Sequence, residues 1–258
     1  MTERCKGCQT GERLDFEFSM AFQPIVETTS NSIWGYEALV RGVSGEGAHS
    51  ILSQVRADQI YKFDQACRIK AIELASRLFP REGHTPKLSI NFMPNAVYEP
   101  AACLRATLGA ARKHDFPREA IMFEFTENEH VRDTGHLQSI ITEYRRQGFT
   151  TALDDFGAGF AGLGLLADFQ PDLIKLDMEL IRGIDTSRSR QVIVAGMMHI
   201  ARELDIKILA EGVETEAEFA VLKSAGVTLF QGYFFAKPGF ETLPGIAGAM
   251  GEAIHRAA

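Results

Sequence analysis

Long apolar runs are missing from this sequence, and several other absences narrow the kind of protein that it encodes. No stretch of 18 uninterrupted apolar residues occurs, so no membrane-spanning helix is predicted. The first fifteen residues are polar and lack the apolar core of a signal peptide. Only four cysteines occur, without the regular spacing of a disulfide framework, which is typical of a reducing compartment. We therefore expect a cytoplasmic protein.

An excess of basic residues is also missing, which excludes one class of partner. The formal net charge of −7 argues against nonspecific binding to a nucleic-acid polymer, because such binding uses a basic face. No GxGxxG motif follows the first predicted strand, which weighs against a dinucleotide-binding fold. With 45% hydrophobic and 24% charged residues, the composition is that of an ordinary globular domain. A small anionic ligand stays compatible with this charge if metal ions mediate the contact.

Predicted strands and helices alternate over most of the chain. Two strands come first, Glu17–Val26 and Ser32–Arg41, and the turn between them is too short for a helical crossover, so they should be antiparallel. The later alternation favours a parallel sheet covered by helices, and the length suits a barrel of roughly 250 residues. We predict the α/β class and a modified (β/α)8 TIM-type barrel with one antiparallel strand near the start. It forms a single domain over 16–258, after a polar lead-in over 1–15.

Hydrophobic patterning gives approximate bounds for the remaining elements. Further strands are predicted over Lys87–Phe92, Ala120–Phe125, Thr150–Asp154, Asp172–Leu176, Lys207–Ala210 and Thr228–Gln231. Helices are predicted near Ala66–Leu78, Ala101–Lys113, Gly135–Arg146 and Arg188–Leu204. The last of these helices should bury a stripe formed by Ile193, Met197, Ile200 and Leu204. Thr215 and Glu218 have the spacing of a capping box that begins another helix.

Acidic, amide or lysine side chains recur where predicted strands end. They are Glu37, Asn91, Glu124, Glu127, Asp154, Asp155, Lys175, Glu211, Glu214 and Gln231. In a (β/α)8 barrel the C-terminal ends of the strands carry the functional residues, so these side chains should meet at one rim. Asp154 and Asp155 are adjacent and would point to opposite faces of a regular strand. Both can face one site if the chain turns there, and Gly157 and Gly159 supply that freedom.

The carboxylates of this set point to metal-ion chemistry. Four negative charges, on Glu37, Glu124, Asp154 and Asp155, would lie beside neutral Asn91 and would be costly without compensation. Two divalent cations would balance them. Because the candidate ligands are oxygens and no histidine belongs to the set, Mg²⁺ or Mn²⁺ is favoured over zinc. Paired cations of this kind support in-line displacement at phosphorus, so the residues suggest metal-dependent phosphodiester hydrolysis.

Two of the remaining residues have more than one possible role in such a site. Lys175 could orient the attacking water or offset charge on the phosphorane, or instead be a structural partner of Asp177. Glu211 is a plausible proton acceptor, although an outer-shell metal ligand would give the same pattern. Cys5 and Cys8 form a lone CxxC pair without a second pair, so a disordered tail is favoured over an intersubunit metal or redox role.

Eight motifs in fixed order carry a resemblance to a known family. They are FQPIV (22–26), EALVR (37–41), NFMPN (91–95), EFTE (124–127), DDFG (154–157), IKLD (174–177), AEGVET (210–215) and QGYFFAKP (231–238). Together they resemble the ordered signature of the EAL domain, the bacterial cyclic di-GMP phosphodiesterase family. The resemblance covers about residues 18 to 240. It implies hydrolysis of cyclic di-GMP to linear pGpG with two divalent cations.

The resemblance also implies roles for individual residues. The implied metal ligands are Glu37, Asn91, Glu124, Asp154 and Asp155. The residues implied at the attacking water are Lys175 and Glu211, and those implied at the substrate are Gln23, Arg41, Glu214 and Gln231. Glu127 matches the glutamate that steadies the loop after the fifth strand. A homodimer, formed through helices beside that loop, is a further implication.

One motif departs from the family pattern and motivates a second hypothesis. The loop reads DDFGAGFAGL where the family commonly has DDFGTGYSSL, so Ala158, Phe160, Ala161 and Gly162 replace hydroxyl-bearing residues. A catalytically weak or inactive EAL-type receptor of cyclic di-GMP, or a protein-interaction module with a regulatory protein partner, is therefore the alternative. An unrelated barrel metallohydrolase acting on another phosphoester is a third reading.

Overall fold

A closed barrel of eight strands organises the chain in the computed structural model, which describes residues 14–97, 99–126, 134–157 and 162–246. The strands are β1 (Phe18–Glu27), β2 (Ser32–Gly42), β3 (Lys87–Asn91), β4 (Ile121–Thr126), β5 (Thr150–Phe156), β6 (Leu173–Leu176), β7 (Lys207–Ala210), β8 (Leu229–Phe230) and β9 (Gly239–Phe240). The helices are α1 (Ala48–Leu52), α2 (Ile60–Leu78), α3 (Pro100–Lys113), α4 (Thr134–Arg146), α5 (Gly162–Asp168), α6 (Met178–Ile181), α7 (Arg188–Glu203) and α8 (Glu216–Ser224).

The first strand runs against the others, as the short first turn predicts. β1 pairs with β2 in antiparallel fashion, with Gln23 opposite Glu37, whereas each neighbouring pair from β2 to β8 is parallel. β8 closes the ring by pairing antiparallel with Val26–Glu27 of β1, and β9 pairs with Ala21–Phe22. The predicted modified (β/α)8 barrel is therefore confirmed, with the additional short strand β9.

Side-chain alternation places an apolar layer directly below the rim. The buried residues of this interior layer are Ile25, Met122, Ala152, Leu173, Leu209 and Leu229, with Trp34 packed against them. Five of them lie two residues from a candidate site residue, namely Gln23, Glu124, Asp154, Lys175 and Glu211, and Leu229 likewise precedes Gln231. Because residues two apart on a strand share a face, the same face that fills the barrel also presents the polar rim. A second, larger apolar cluster lies between the strands and the helices.

Most predicted elements agree with the structure within two residues. Helix α2 begins at Ile60, six residues before its predicted start at Ala66. The Thr215–Glu218 capping box is confirmed, because each side chain accepts a hydrogen bond from the other residue's backbone N–H. Among helices in the described ranges, none combines the length and apolar character needed to cross a membrane. Cys5 and Cys8 lie outside the described residues.

The predicted inner stripe of α7 is half right, because Met197 is buried and Ile200 packs against the core, but it is wrong at Ile193 and Leu204. Ile193 is 51% exposed and Leu204 is 39% exposed, whereas Val194, Met197 and Ala201 are buried. The sequence has apolar residues on two adjacent rows of this helix, which share Met197, and their pattern alone does not select between the rows. Packing against the sheet selects the row that contains the small Ala201.

A buried arginine links the helical layer to the sheet. Arg68 of α2 is fully buried, and its Nη2 lies 2.7 Å from Oδ2 of Asp64 while its Nη1 donates to the hydroxyl of Tyr144 at 2.8 Å. Its guanidinium also lies over the rings of Phe92 and Phe123, 5.4 and 5.1 Å from their centroids. Asp64 in turn accepts a hydrogen bond from a backbone N–H just beyond β3. The pair therefore fixes α2 against the strand that ends in Asn91.

We expect Arg68→Ala to lower the free energy of unfolding by about 3–5 kcal/mol, because it leaves the buried Asp64 carboxylate without its partner. Arg77→Ala is the matched control, because Arg77 pairs with Glu73 at the same i,i+4 spacing in α2 but is 62% exposed. Its loss should cost about 0.2–1 kcal/mol. Urea unfolding followed by circular dichroism measures both values, and equal values would show that burial of the Arg68 pair contributes nothing.

Candidate active site

A cavity of about 270 Å³ opens at the C-terminal ends of the parallel strands. Its lining consists of Gln23, Glu37, Asp155, Asp177, Met178, Glu211, Gly212, Glu214, Gln231, Gly232 and Tyr233. Gly232 and Gly212 allow close packing here, since a Cβ at Gly232 would lie 2.1 Å from the carbonyl oxygen of Val213 and one at Gly212 would lie 2.4 Å from Cβ of Met178. These contacts bring the segments after β6, β7 and β8 together around one opening.

The ammonium group of Lys175 lies at the centre of the carboxylates at the base of this cavity. Its Nζ is 2.5 Å from Glu211, 2.9 Å from Glu124, 3.1 Å from Asp154 and 3.8 Å from Glu37, measured to the nearest carboxylate oxygen. The Lys175 side chain is 1% exposed, so water screens these interactions little. The ends of four strands therefore place carboxylates around one buried cation on a fifth strand.

The electrostatics of this cluster follow from burial and from the shared cation. Burial by itself would lower the pKa of Lys175, but Asp154, Glu124 and Glu211 raise that pKa well above its ordinary value. Burial raises the pKa of Glu124 and of Glu211 well above the ordinary range, although Lys175 opposes this change. Lys175 therefore stays charged, and Glu124 and Glu211 have a raised affinity for protons.

Three amide side chains orient the carboxylate of Glu37 and its surroundings. Asn91 Nδ2 donates to Glu37 Oε1 at 3.0 Å and to Glu124 Oε1 at 3.1 Å. Gln231 Nε2 donates to Glu37 Oε2 at 2.7 Å and to Gln23 Oε1 at 3.3 Å. Both oxygens of Glu37 are thus held by amide donors from β3 and from the end of β8. The predicted rim residues of β1, β2, β3, β4 and β8 meet in one network.

A local bulge brings Asp154 and Asp155 to the same site. The pairing of β5 with β6 shifts register between Leu153 and Phe156, and Asp155 has a left-handed φ of +54°. Aspartate is one of the few non-glycine residues that tolerates this conformation. The predicted turn is therefore present, but it begins at Asp155 itself and continues at Gly157, with φ of +101°. Gly159 lies outside the described residues.

The donor set fits hard divalent cations. Carboxylate oxygens of Asp154, Asp155 and Glu211 all lie within 4.8 Å of one another. Oxygen ligands on opposite sides of one cation are separated by a similar distance, because each lies ~2.1–2.6 Å from the ion. Burial raises the pKa of Asp155 to about 6, with Asp154 and Asp177 adding to the effect, which shows negative charge that lacks compensation. Such a cluster of oxygens favours Mg²⁺, Mn²⁺ or Ca²⁺ over softer metals.

Three further predictions concern Asp177, Arg41 and Glu127. Asp177 does not pair with Lys175, because its side chain caps α6 by accepting from the backbone N–H of Glu179 at 2.8 Å. Arg41 donates to the carbonyl oxygen of Val40 at 2.7 Å, and it is not among the described residues that line the 270 Å³ cavity. Glu127 lies outside the described residues. The roles of Arg41 and Glu127 stay predictions.

Sequence reasoning did not identify three residues at the cavity. Met178 and Tyr233 line it with 43% and 56% of their surfaces exposed, and Arg182 holds both oxygens of Glu214. Met178 directly follows the IKLD motif and Tyr233 lies within QGYFFAKP, and only the polar residues of these two motifs were predicted to belong to the site. Arg182 belongs to no motif, so the chain offers no local signal for its contact with a residue 32 positions away.

Comparison with known proteins identifies the family. A family model for the EAL domain matches residues 12–238, so this chain belongs to the EAL domain family. Among curated proteins, it is 34% identical over 227 residues to the blue light- and temperature-regulated antirepressor BluF of Escherichia coli K12, covering 88% of this chain and 56% of BluF. It is 28% identical over 219 residues to PdeA of the same organism, a probable cyclic di-GMP phosphodiesterase, covering 79% of this chain and 30% of PdeA.

Solved structures of EAL proteins share the fold. A standalone versatile EAL protein from Vibrio cholerae O395, in a form bound to cyclic di-GMP, is 55% identical with a TM-score of 0.88, covering 92% of this chain and 99% of that one. BlrP1 from Klebsiella pneumoniae, in a complex with manganese and cyclic di-GMP, is 33% identical with a TM-score of 0.83, covering 92% and 59%. The chain thus spans 56% of the length of BluF and 30% of the length of PdeA.

We expect Asp155→Asn to weaken the stabilisation that Mn²⁺ gives the folded protein, because an amide is a poorer ligand for a hard cation than a carboxylate. At 100 times its dissociation constant, a bound ion stabilises by about 2.7 kcal/mol, which thermal unfolding detects readily. Asp205→Asn is the matched control, because Asp205 has the same left-handed φ of +54° and lies away from the cavity. Equal Mn²⁺ stabilisation in both variants would contradict a metal site at Asp155.

Proposed function

We propose that this protein is a phosphodiesterase that hydrolyses cyclic di-GMP to linear pGpG with two divalent cations, Mg²⁺ or Mn²⁺. The observation that carries the proposal is the buried Lys175, with carboxylates from four other strands within 4 Å of its ammonium group. A site for a neutral ligand has no need of so many buried charges, since each is costly unless it is compensated. Membership of the EAL family and the cyclic di-GMP complexes of its relatives support the same choice.

The proposed metal ligands are the oxygen-bearing residues at the strand ends, Glu37, Asn91, Glu124, Asp154 and Asp155. When bound, the cations supply Lewis acidity at the phosphate and lower the pKa of water. Lys175 keeps the ligand carboxylates in register through its contacts with Glu124 and Asp154. The raised pKa of Glu211 suits it to accept the proton of an attacking water, and its place beside Asp154 and Asp155 also suits a metal ligand.

The proposed substrate contacts adjoin these metal ligands, since Gln231 Nε2 donates to Glu37 Oε2 at 2.7 Å. Gln23 and Gln231 are buried amides within 3.3 Å of each other, and Glu214 lines the wall formed after β7. Gln231 Oε1 is buried without a hydrogen-bond partner among the described residues, so an acceptor is available to a ligand donor. The proposal keeps Arg41 as a phosphate or guanine contact and Glu127 as a support for the loop that carries Asp155.

A second candidate function is favoured by one specific relative. BluF, 34% identical over 227 residues, is named as an antirepressor, which is a regulatory role. Under this alternative the protein would be a receptor for cyclic di-GMP that binds a regulatory protein partner. Binding of cyclic di-GMP in the presence of Mn²⁺, without release of pGpG, would favour it over hydrolysis.

The proposal extends to the assembly and location of the protein. By resemblance to its family we propose a cytoplasmic homodimer, formed through helices near the loop after β5. Leu163 of α5 lies beside that loop and is 61% exposed, which is compatible with such a contact. Varying the protein concentration in a turnover assay tests this proposal, since a dimer-dependent enzyme loses specific activity on dilution.

We expect pGpG to be formed from cyclic di-GMP only when Mg²⁺ or Mn²⁺ is present. Glu37→Ala and Asp154→Ala should abolish turnover, because each removes a proposed ligand, and Glu211→Gln should lower it by roughly 10²–10⁴-fold if Glu211 is the general base. Product chromatography measures all three. Arg77→Ala, on the exposed face of α2, is the control and should keep full activity. No pGpG from dimeric, metal-loaded protein would refute the proposed activity.

A further inference from the structure

A buried carboxylate joins the loop that carries Glu214, which lines the cavity, to the loop after α6. Glu218 is 3% exposed, and it accepts hydrogen bonds from the backbone N–H groups of Gly183 at 3.0 Å and of Glu214 and Thr215 at 3.1 Å. Burial would raise the pKa of Glu218, but these backbone donors lower it below its ordinary value. The bonds to Glu214 and Thr215 belong to the start of α8, whereas the bond to Gly183 reaches the loop after α6. The two loops therefore form one unit.

An ion pair completes this unit at the cavity. Arg182, directly before Gly183, donates from Nη1 and Nη2 to the two oxygens of Glu214, both at 2.8 Å. This parallel arrangement is the bidentate geometry that arginine forms with carboxylates, and it fixes the plane of the carboxylate as well as its position. Glu214 lines the cavity, so Arg182 sets how this wall is presented to a ligand.

The charge of Arg182 is as important as its geometry. Four other carboxylates line the cavity, on Glu37, Asp155, Asp177 and Glu211, and a cyclic dinucleotide brings two negative phosphates. Without a cation beside it, Glu214 would repel such a ligand. With Arg182 in place its charge is compensated, while each of its oxygens keeps a further lone pair for an N–H donor of the ligand. Arg182 thus lets an acidic residue contribute to the binding of an anion.

We propose that Arg182 is a positioning residue of the substrate site, which acts through Glu214 by fixing the plane of its carboxylate and compensating its charge. This inference rests on the proposed function, because it takes the ligand to be a cyclic dinucleotide. Arg182 has no contact with the candidate metal ligands among the interactions of the described residues. Its effect therefore belongs to substrate binding, and the chemical step is left unchanged.

The test is steady-state hydrolysis of cyclic di-GMP in Mn²⁺ by Arg182→Ala, Arg182→Lys and the unsubstituted protein. We expect Arg182→Ala to raise KM about two- to fivefold, the range that a half-exposed ion pair can supply, with kcat changed less than twofold. Arg182→Lys keeps the charge without the planar fork, so it should restore part of the loss. An unchanged KM in Arg182→Ala, or a loss in kcat alone, would overturn the proposal.

Arg146→Ala is the matched control for loss of an ion pair. Arg146 also binds a carboxylate in a bidentate way, since its Nε and Nη2 donate to the two oxygens of Glu143 of α4 at 2.8 and 2.7 Å, and it is exposed and away from the cavity. Its KM should match that of the unsubstituted protein. If Arg146→Ala and Arg182→Ala raise KM equally, the effect is one of general stability and the proposal is wrong.

A double variant tests whether Arg182 acts through Glu214. If it does, adding Arg182→Ala to Glu214→Ala should change KM no further, because the carboxylate to be positioned is already gone. Additive effects would mean that Arg182 contacts the substrate itself, which would overturn the positioning role. Calorimetric binding of cyclic di-GMP by each variant separates the two proposals. Unsubstituted protein that neither binds nor hydrolyses the dinucleotide refutes the proposed function, whereas normal binding by Arg182→Ala refutes this inference alone.

Discussion

The buried ammonium group of Lys175 is the interaction on which the site depends. Carboxylates of Glu124, Asp154 and Glu211 lie within 3.1 Å of it, deep in the mouth of the barrel where water screens charge weakly. None of these carboxylates would be stable there as an isolated ion, and Lys175 would lose its proton if it were alone. Lys175 stays charged because of the carboxylates around it, so the strands that carry these groups must keep one register.

The single positive charge of Lys175 nevertheless does not balance the negative charge of this cluster. Glu37, Glu124, Asp154, Asp155 and Glu211 supply five carboxylates against this one cation. Burial and this excess of negative charge raise the pKa of Glu124, Glu211 and Asp155. A chain that used these carboxylates for structure alone would need further lysines or arginines at the rim. The uncompensated charge is the physical basis for the proposed metal site and for the proposed hydrolysis.

The parts of this site that the sequence predicts are those set by strand alternation. Leu173 and Lys175 lie two residues apart on one strand, as do Ala152 and Asp154 on another, so each pair shares a face whatever surrounds it. This alternation predicts which residues fill the barrel interior and which lie at the rim. Alternation fails at Asp155, where a bulge with a left-handed residue overrides it, and in α7, where two apolar rows compete. The Arg182–Glu214 pair was beyond prediction because only the folded loops bring these residues together.

The residues of the candidate site divide between the strands of the barrel and the segments that connect them. The residues proposed to hold metal lie on strands that the closed barrel locks together, whereas Glu214 and Tyr233 lie on connecting segments. In this chain the segments after α6 and β7 are themselves fixed, since Glu218 binds three backbone N–H groups and Arg182 holds Glu214. A substitution in either residue would change ligand binding without touching the metal ligands. Function in this fold can therefore change through the loops while the charged rim stays the same.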